Sequence, residues 1–295
     1  MNDVTTQATS SFVIRPGGRP VAGLGMHRRY PASGGAFSSQ AGLHLRPWLA
    51  RLRRALAEGL FVLHYQPIVS LEDGTVSHHE ALLRLADDAD GQLVAPNDFL
   101  PAAERYGLVR QIDRMVLGEA IYLMGAELAD RSTPVAVNLS ALSVTGEGTL
   151  THIERLLASY EVDPRRLILE VTETAAISDM GRASEFCRGV QRLGCAVALD
   201  DFGAGFGSFR YLKRLPFDYL KIDGDFVRAL PRSHKDQLVV QALVRVAQGM
   251  GKRTIAEYVG GQETITLLRS YGVDYAQGFA IGRPVESGQA FAQAA

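Results

Sequence analysis

Cysteine is scarce in this 295-residue chain, with Cys187 and Cys195 its only two. Two isolated thiols build neither a disulfide framework nor a four-ligand zinc site, so both are read as core packing. Charge of one sign is lacking as well: 31 Lys and Arg face 32 Asp and Glu, a formal net charge of −1. A chain so balanced has no bulk attraction for a DNA or RNA polymer, and an anionic substrate must be held by a local site. Apolar runs of about 18 residues are absent, so no membrane span is expected. The opening residues, MNDVTTQATSSFVIRPGG, carry no apolar stretch of signal-peptide kind. A reduced, cytoplasmic setting is the expectation.

Hydrophobic residues are plentiful at 46%, enough for a sizeable core. Residues 1–44 differ from the rest. They are rich in Gly, Ser, Pro and Arg and show neither periodicity, which reads as a disordered arm or linker. Arg15, Arg19, Arg28 and Arg29 belong to that solvated tail, since no dense basic run with interleaved aromatics surrounds them. A single domain is expected over 45–295. It begins with a lead-in helix, because Leu49, Leu52, Leu56 and Leu60 recur at helical spacing.

Eight β-type runs follow: FVLHYQPIV, VSHHEALLRL, VAVNLS, RLILEVTE, AVALDDFG, YLKID, TIAEYV and YAQGFAI. Helical stretches separate most of them, the pattern of parallel βαβ units. Polar residues at successive run ends recur every 20–36 residues from Asn138 to Gln277. A barrel of about 250 residues averages about 31 per unit. The first pair breaks the rule. Only 13 residues part Gln66 from Glu80, and Asp73-Gly74 among them is a hairpin signal. A parallel crossover needs a dozen or more residues of its own. The expected fold is therefore a TIM-like (β/α)8 barrel with its first strand antiparallel.

In such barrels the carboxyl ends of the strands build the site. Those ends carry Glu80, Asn138, Glu170, Asp200, Asp201, Lys221, Glu257 and Gln277. Five carboxylates in one mouth repel each other unless cations neutralise them, and one lysine is too few. Oxygen donors without Cys or an obligatory His favour two hard ions such as Mg²⁺ or Mn²⁺, a set suited to phosphoryl chemistry. Bland readings exist for each element alone: an N-cap for the Asp pair, a solvated face for Glu170 and Glu173, an ion pair between Lys221 and Asp223. His78 and His79 fall on opposite strand faces and are read as packing rather than ligands. Tyr65 and Phe202 are read as core or wall.

From about Leu60 to Glu286 the chain resembles the EAL domain family of cyclic di-GMP phosphodiesterases. Glu80-Ala81-Leu82 stands in YQPIVSLEDGTVSHHEALLR with Arg84 two residues on. VNLS, ILEVTE, LDDFGAGFGSFRYLKRLPFDYLKID, IAEYV and AQGFAIGRP follow in the family's order. The resemblance implies that Glu80, Asn138, Glu170 and Asp200 bind one metal. A second ion would share Asp200 and be held by Asp201 and Glu257. It assigns Lys221 to positioning the attacking water, and Glu257 to the role of base or ligand. Gln277 would bond a metal-bound water, and Gln66 and Arg84 would hold the substrate. Glu173 would anchor the Gly-rich segment, which in this family also touches a homodimer face. The implied reaction is two-metal hydrolysis of cyclic di-GMP to linear pGpG.

One position departs from the family's AEGVE pattern. Here AEYVGGQE puts Gly260 where a second glutamate is usual, and Tyr258 replaces a small residue. That departure favours a different class, a degenerate EAL domain that binds cyclic di-GMP or a protein partner without cutting it. The otherwise intact acidic set favours the enzyme. An unrelated two-metal barrel hydrolase would have to match all of these separated blocks by chance.

Overall fold

The computed structural model describes residues 39–86, 92–128, 132–203 and 212–292, apart from the side chains of 39–45 and 127. Most of the expected arm, residues 1–38, lies outside the described residues. The lead-in helix spans Ser39–Glu58, starting within the last residues assigned to that arm rather than at Leu45. Leu52 and Ala55 are fully buried on one side of it. Gly59 ends the helix at φ +67, leaving Leu60 beyond it.

β1 (Phe61–Ser70) and β2 (Val76–Leu85) form an antiparallel pair with Gln66 opposite Glu80. Their turn is closed by Asp73, whose Oδ1 accepts from Thr75 N at 3.0 Å, and by Gly74 at φ +79. β3 (Val135–Leu139), β4 (Leu167–Thr172), β5 (Ala196–Phe202), β6 (Tyr219–Ile222), β7 (Arg253–Ala256) and β8 (Tyr275–Ala276) then add in parallel order. The barrel closes where β8 meets β1 antiparallel, Ala276 opposite Val69. This is the eight-stranded barrel with one reversed strand that the short Gln66–Glu80 spacing requires. A two-residue strand outside the eight β-type runs, β9 (Val285–Glu286), pairs with His64 and Tyr65 of β1.

The main core fills the space between barrel and helices. Tyr65 and Phe202 lie in it, as do Cys187 and Cys195, whose thiols burial pushes up to about 12. Thiols held that far from ionisation are inert packing groups. The barrel interior is plugged separately, by Ile68, Ile255 and Tyr275 and by Ala136, Ile168 and Ala198. His78 packs with this plug, 5.8 Å from the ring centroids of both Tyr219 and Tyr275. Burial lowers its pKa to about 3, so it is neutral. His79, one residue on, points the other way and packs on Phe291 at 4.5 Å. Above that plug, toward the carboxyl ends of the strands, the interior becomes polar.

Candidate active site

Lys221 stands on β6 at the centre of the polar region and is 1% exposed. Its Nζ lies 2.6 Å from Glu170 Oε2, 2.9 Å from Glu257 Oε1, 3.1 Å from Asp200 Oδ1 and 3.6 Å from Glu80 Oε2. Burial alone would strip its proton. The carboxylates of Asp200, Glu170, Glu257 and Glu80 outweigh burial and hold the ammonium charged well above its usual range. Asp223, the neighbour in sequence, instead accepts from Asp225 N at 2.6 Å and caps the helix Gly224–Val227.

Glu80 is fixed from three sides. Asn138 Nδ2 donates to its Oε1 at 2.6 Å and Gln277 Nε2 to its Oε2 at 2.6 Å. Burial raises its pKa, but Lys221 and these two donors more than reverse the effect. Gln277 Nε2 also reaches Gln66 Oε1 at 3.1 Å, and Gln66 Nε2 donates to Gly282 O at 2.9 Å. Among the described residues, Glu170 and Glu257 lack comparable donor sets. Burial, and then neighbouring carboxylates set against Lys221, push both well above the ordinary range. Arg84, on β2 beyond Glu80, is half-buried and donates from Nη1 to Leu83 O at 2.7 Å.

Asp200 and Asp201 are adjacent on β5, and strand alternation would send them to opposite faces. The register with β6 shifts between Leu199 and Phe202, and Asp201 takes φ +54. This bulge re-aims the second side chain. Asp200, Asp201 and Glu257 each place one oxygen within 4.8 Å of the others. Partial burial and the Asp200 charge raise Asp201 to about 7. At the end of β4, Glu173 is buried and accepts from Gly203 N at 3.2 Å, tying β4 to the segment after β5. Residues 204–211 of that segment, including Gly205 and Gly207, lie outside the described residues.

The donor set fits hard divalent cations. It consists of oxygen atoms, five carboxylates face one ammonium, and Glu170 Oε1 and Gln277 Oε1 are buried without a hydrogen-bond partner among the described residues. Buried polar atoms left unpaired are costly unless something else satisfies them. The titration of Asp201 gives the sign of a pH dependence. A free aspartate titrates near 3.9. Asp201 therefore holds its proton more tightly when folded, and in cation-free protein its contribution to stability is lost as pH rises toward about 7. A cation must displace that proton. Calorimetric titration with Mg²⁺ or Mn²⁺ is expected to show affinity rising from pH 6 to pH 8, with proton release largest at the acid end. Flat affinity across that range would remove Asp201 from the cation site.

A parallel barrel with a reversed first strand and a carboxylate-lined mouth around one lysine defines a class of oxygen-ligand metal sites suited to phosphate esters. Residues 49–284 match the model of the EAL domain, and the chain belongs to that family. It is 38% identical to cyclic di-GMP phosphodiesterase PdeB of Shewanella oneidensis, over 80% of this chain and 28% of that protein. It is 37% identical to cyclic di-GMP phosphodiesterase PdeF of Escherichia coli, over 79% of this chain and 31% of that protein. The chain thus spans about a third of the length of these relatives. Among solved structures it resembles the PaMucR phosphodiesterase in complex with c-di-GMP, with TM-score 0.78 and 36% identity. That match covers 83% of this chain and 99% of the other. The FimX EAL domain of Pseudomonas aeruginosa bound to c-di-GMP matches with TM-score 0.74 and 31% identity, over 81% of this chain and 96% of that one.

Proposed function

We propose that this chain is a cation-dependent phosphodiesterase that hydrolyses cyclic di-GMP to linear pGpG. The observation that carries the reading is the convergence of Glu80, Glu170, Asp200, Asp201 and Glu257 on one mouth around Lys221. Glu80, Asn138, Glu170 and Asp200 would hold one Mg²⁺ or Mn²⁺, and Asp200, Asp201 and Glu257 a second. When bound, such cations polarise the phosphoryl oxygens and make a water acidic enough to attack phosphorus. The chain's own groups do the rest. Lys221 keeps a fixed positive charge where negative charge develops. Arg84 pairs with a substrate phosphate by charge-assisted hydrogen bonds. Gln277 and Asn138 lock the Glu80 carboxylate in one orientation, so no reorganisation is needed during reaction. In-line attack on one phosphodiester breaks a single P–O bond and leaves pGpG.

Purified protein incubated with cyclic di-GMP and Mg²⁺ or Mn²⁺ is expected to yield pGpG. Excess EDTA should abolish the product and added cation restore it; undiminished turnover in EDTA would refute the cation-dependent reading. We also infer a homodimer, through the segment that Glu173 ties down at Gly203. Light scattering that reads only monomer at full activity would remove dimerisation from the mechanism.

Gly260 supports a second reading, a domain that binds cyclic di-GMP without cutting it. The residue is exposed, and a Cβ added there meets nothing within 4 Å. Its φ lies outside the left-handed region, so a glutamate is accommodated without strain. If a carboxylate here orders the surroundings of the second cation, Gly260→Glu is expected to lower the cation requirement about 10–100-fold. An inactive parent made active by that change would favour the receptor reading. A stable variant with unchanged cation dependence would show that position 260 is irrelevant.

A further inference from the structure

Tyr258 follows Glu257 at the mouth, and its conformation is unusual. A tyrosine at φ +53 is strained, and only Glu161 and Asp201 share positive φ among the described non-glycine residues. The loop holds it there. Glu257 N donates to Ile222 O, Val259 N to Gln277 O and Ala280 N to Val259 O. This stitches the ends of β6, β7 and β8 together. Gly224, just past β6, makes room for the ring, since a Cβ there would run into Tyr258 Cδ2. Strain that the surroundings enforce at a site mouth invites a functional explanation.

The ring's partner is Arg228. Its guanidinium carbon lies 3.9 Å from the Tyr258 ring centroid. Asp225 Oδ1 accepts from its Nη1 at 2.8 Å, and the Arg228 side chain is 48% exposed. Its other N–H groups make no hydrogen bond to any described residue. The stack sits beside the chemistry, because Tyr258 directly follows Glu257 in the chain. Stacking and one ion pair hold a planar fork of donors in a set orientation at the rim. The ligand edge that such a fork recognises is a pair of adjacent acceptors. Guanine offers one in O6 and N7, whereas adenine sets an amino donor beside N7.

We propose that Arg228, held in place by Tyr258 and Asp225, reads the O6/N7 edge of one guanine base of the substrate and sets its preference for guanine over adenine. This rests on the cyclic di-GMP reading above. Arg228 lies past the end of β6 and Tyr258 past that of β7, so the base would lie over the rim while the phosphates enter toward Lys221. Arg228 is then a specificity residue, and Tyr258 a positioning residue that acts through it.

The test measures binding of cyclic di-GMP and cyclic di-AMP to the full chain in Ca²⁺, together with KM and kcat in Mg²⁺. Arg228→Gln is expected to weaken cyclic di-GMP about 10–100-fold, the discrimination one bidentate base contact supplies, and cyclic di-AMP far less. The loss should fall on KM rather than kcat. Arg228→Lys keeps the charge but not the fork and should stay defective. Tyr258→Leu should lose much of the same discrimination, and Tyr258→Phe, which keeps the ring, should recover it. Because both side chains are exposed, thermal melts check that the variants are folded. A parent that binds cyclic di-GMP, with Arg228→Gln leaving the guanine-to-adenine ratio unchanged, would overturn this assignment alone. A parent that binds neither dinucleotide would overturn the functional reading and this assignment with it.

Discussion

Replacing Lys221 by methionine is expected to abolish turnover and, in cation-free protein, to destabilise the fold by about 3–5 kcal/mol near neutral pH. The side chain is nearly isosteric up to the charge, so packing is largely kept. What disappears is the ammonium within 3.6 Å of four buried carboxylates. Breaking such a set from one side leaves charges that neither water nor a partner compensates. The carboxylates respond by taking up protons. Glu170 and Glu257 already titrate well above a free glutamate with Lys221 in place, and its removal drives them higher. An acid held above its unfolded pKa stabilises the fold while protonated and loses that contribution as pH rises through its folded value. The defect should therefore be small near pH 5 and large near pH 8. Divalent cation should restore much of the melting temperature without restoring turnover, because it replaces charge but not the fixed ammonium near the reacting phosphate. Urea melts at the two pH values, with and without Mg²⁺, make the check. A methionine variant as stable as the parent at pH 8 in EDTA would mean that the carboxylates do not depend on Lys221.

The barrel could be read because its signals are local. Period-two apolar runs mark the strands, and the Asp73-Gly74 turn within so short a connection leaves β1 no way to run parallel to β2. The acidic excess at the strand ends could be read for the same reason, since position along a barrel strand decides which end of the barrel a residue faces. The geometry is not legible in the same way, because it depends on contacts distant in sequence or on single dihedral angles. Alternation separates Asp200 from Asp201; only the register shift against β6 and the positive φ of Asp201 reunite them. Lys221 is expected at the mouth, with a pair to Asp223 only as the bland alternative, and closure of the barrel brings four carboxylates from β2, β4, β5 and the end of β7 to it. Arg228 gave no signal at all, because an arginine just past a short helix is ordinary until the ring of Tyr258 is found against it. The early start of the first helix was hidden by its Ser- and Gly-containing opening turn and by Pro47 inside it.

Glu80→Ala is expected to lower kcat by orders of magnitude while changing cation-free stability by only about 1–3 kcal/mol. Two effects oppose each other in the cation-free protein. Asn138 Nδ2 and Gln277 Nε2, both donating to Glu80 at 2.6 Å, lose their acceptors in a buried setting. Against that, one charge leaves a mouth that holds five carboxylates against one lysine, which relieves Glu170 and Glu257. The cation-bound protein has no such compensation, because the removed oxygens are ligands. The rise in melting temperature on adding Mg²⁺ or Mn²⁺ should therefore shrink sharply in the variant. Glu80→Gln separates the causes further. It keeps the shape but presents one amide N–H₂ toward a donor, Asn138 or Gln277, so it should lose turnover nearly as completely as alanine. Arg84→Ala serves as the contrast, weakening substrate binding while leaving the cation-induced stabilisation intact. If Glu80→Ala keeps kcat within a few-fold of the parent at saturating cation, Glu80 is not a ligand, and the chemistry must be organised around Asp200, Asp201 and Glu257 alone.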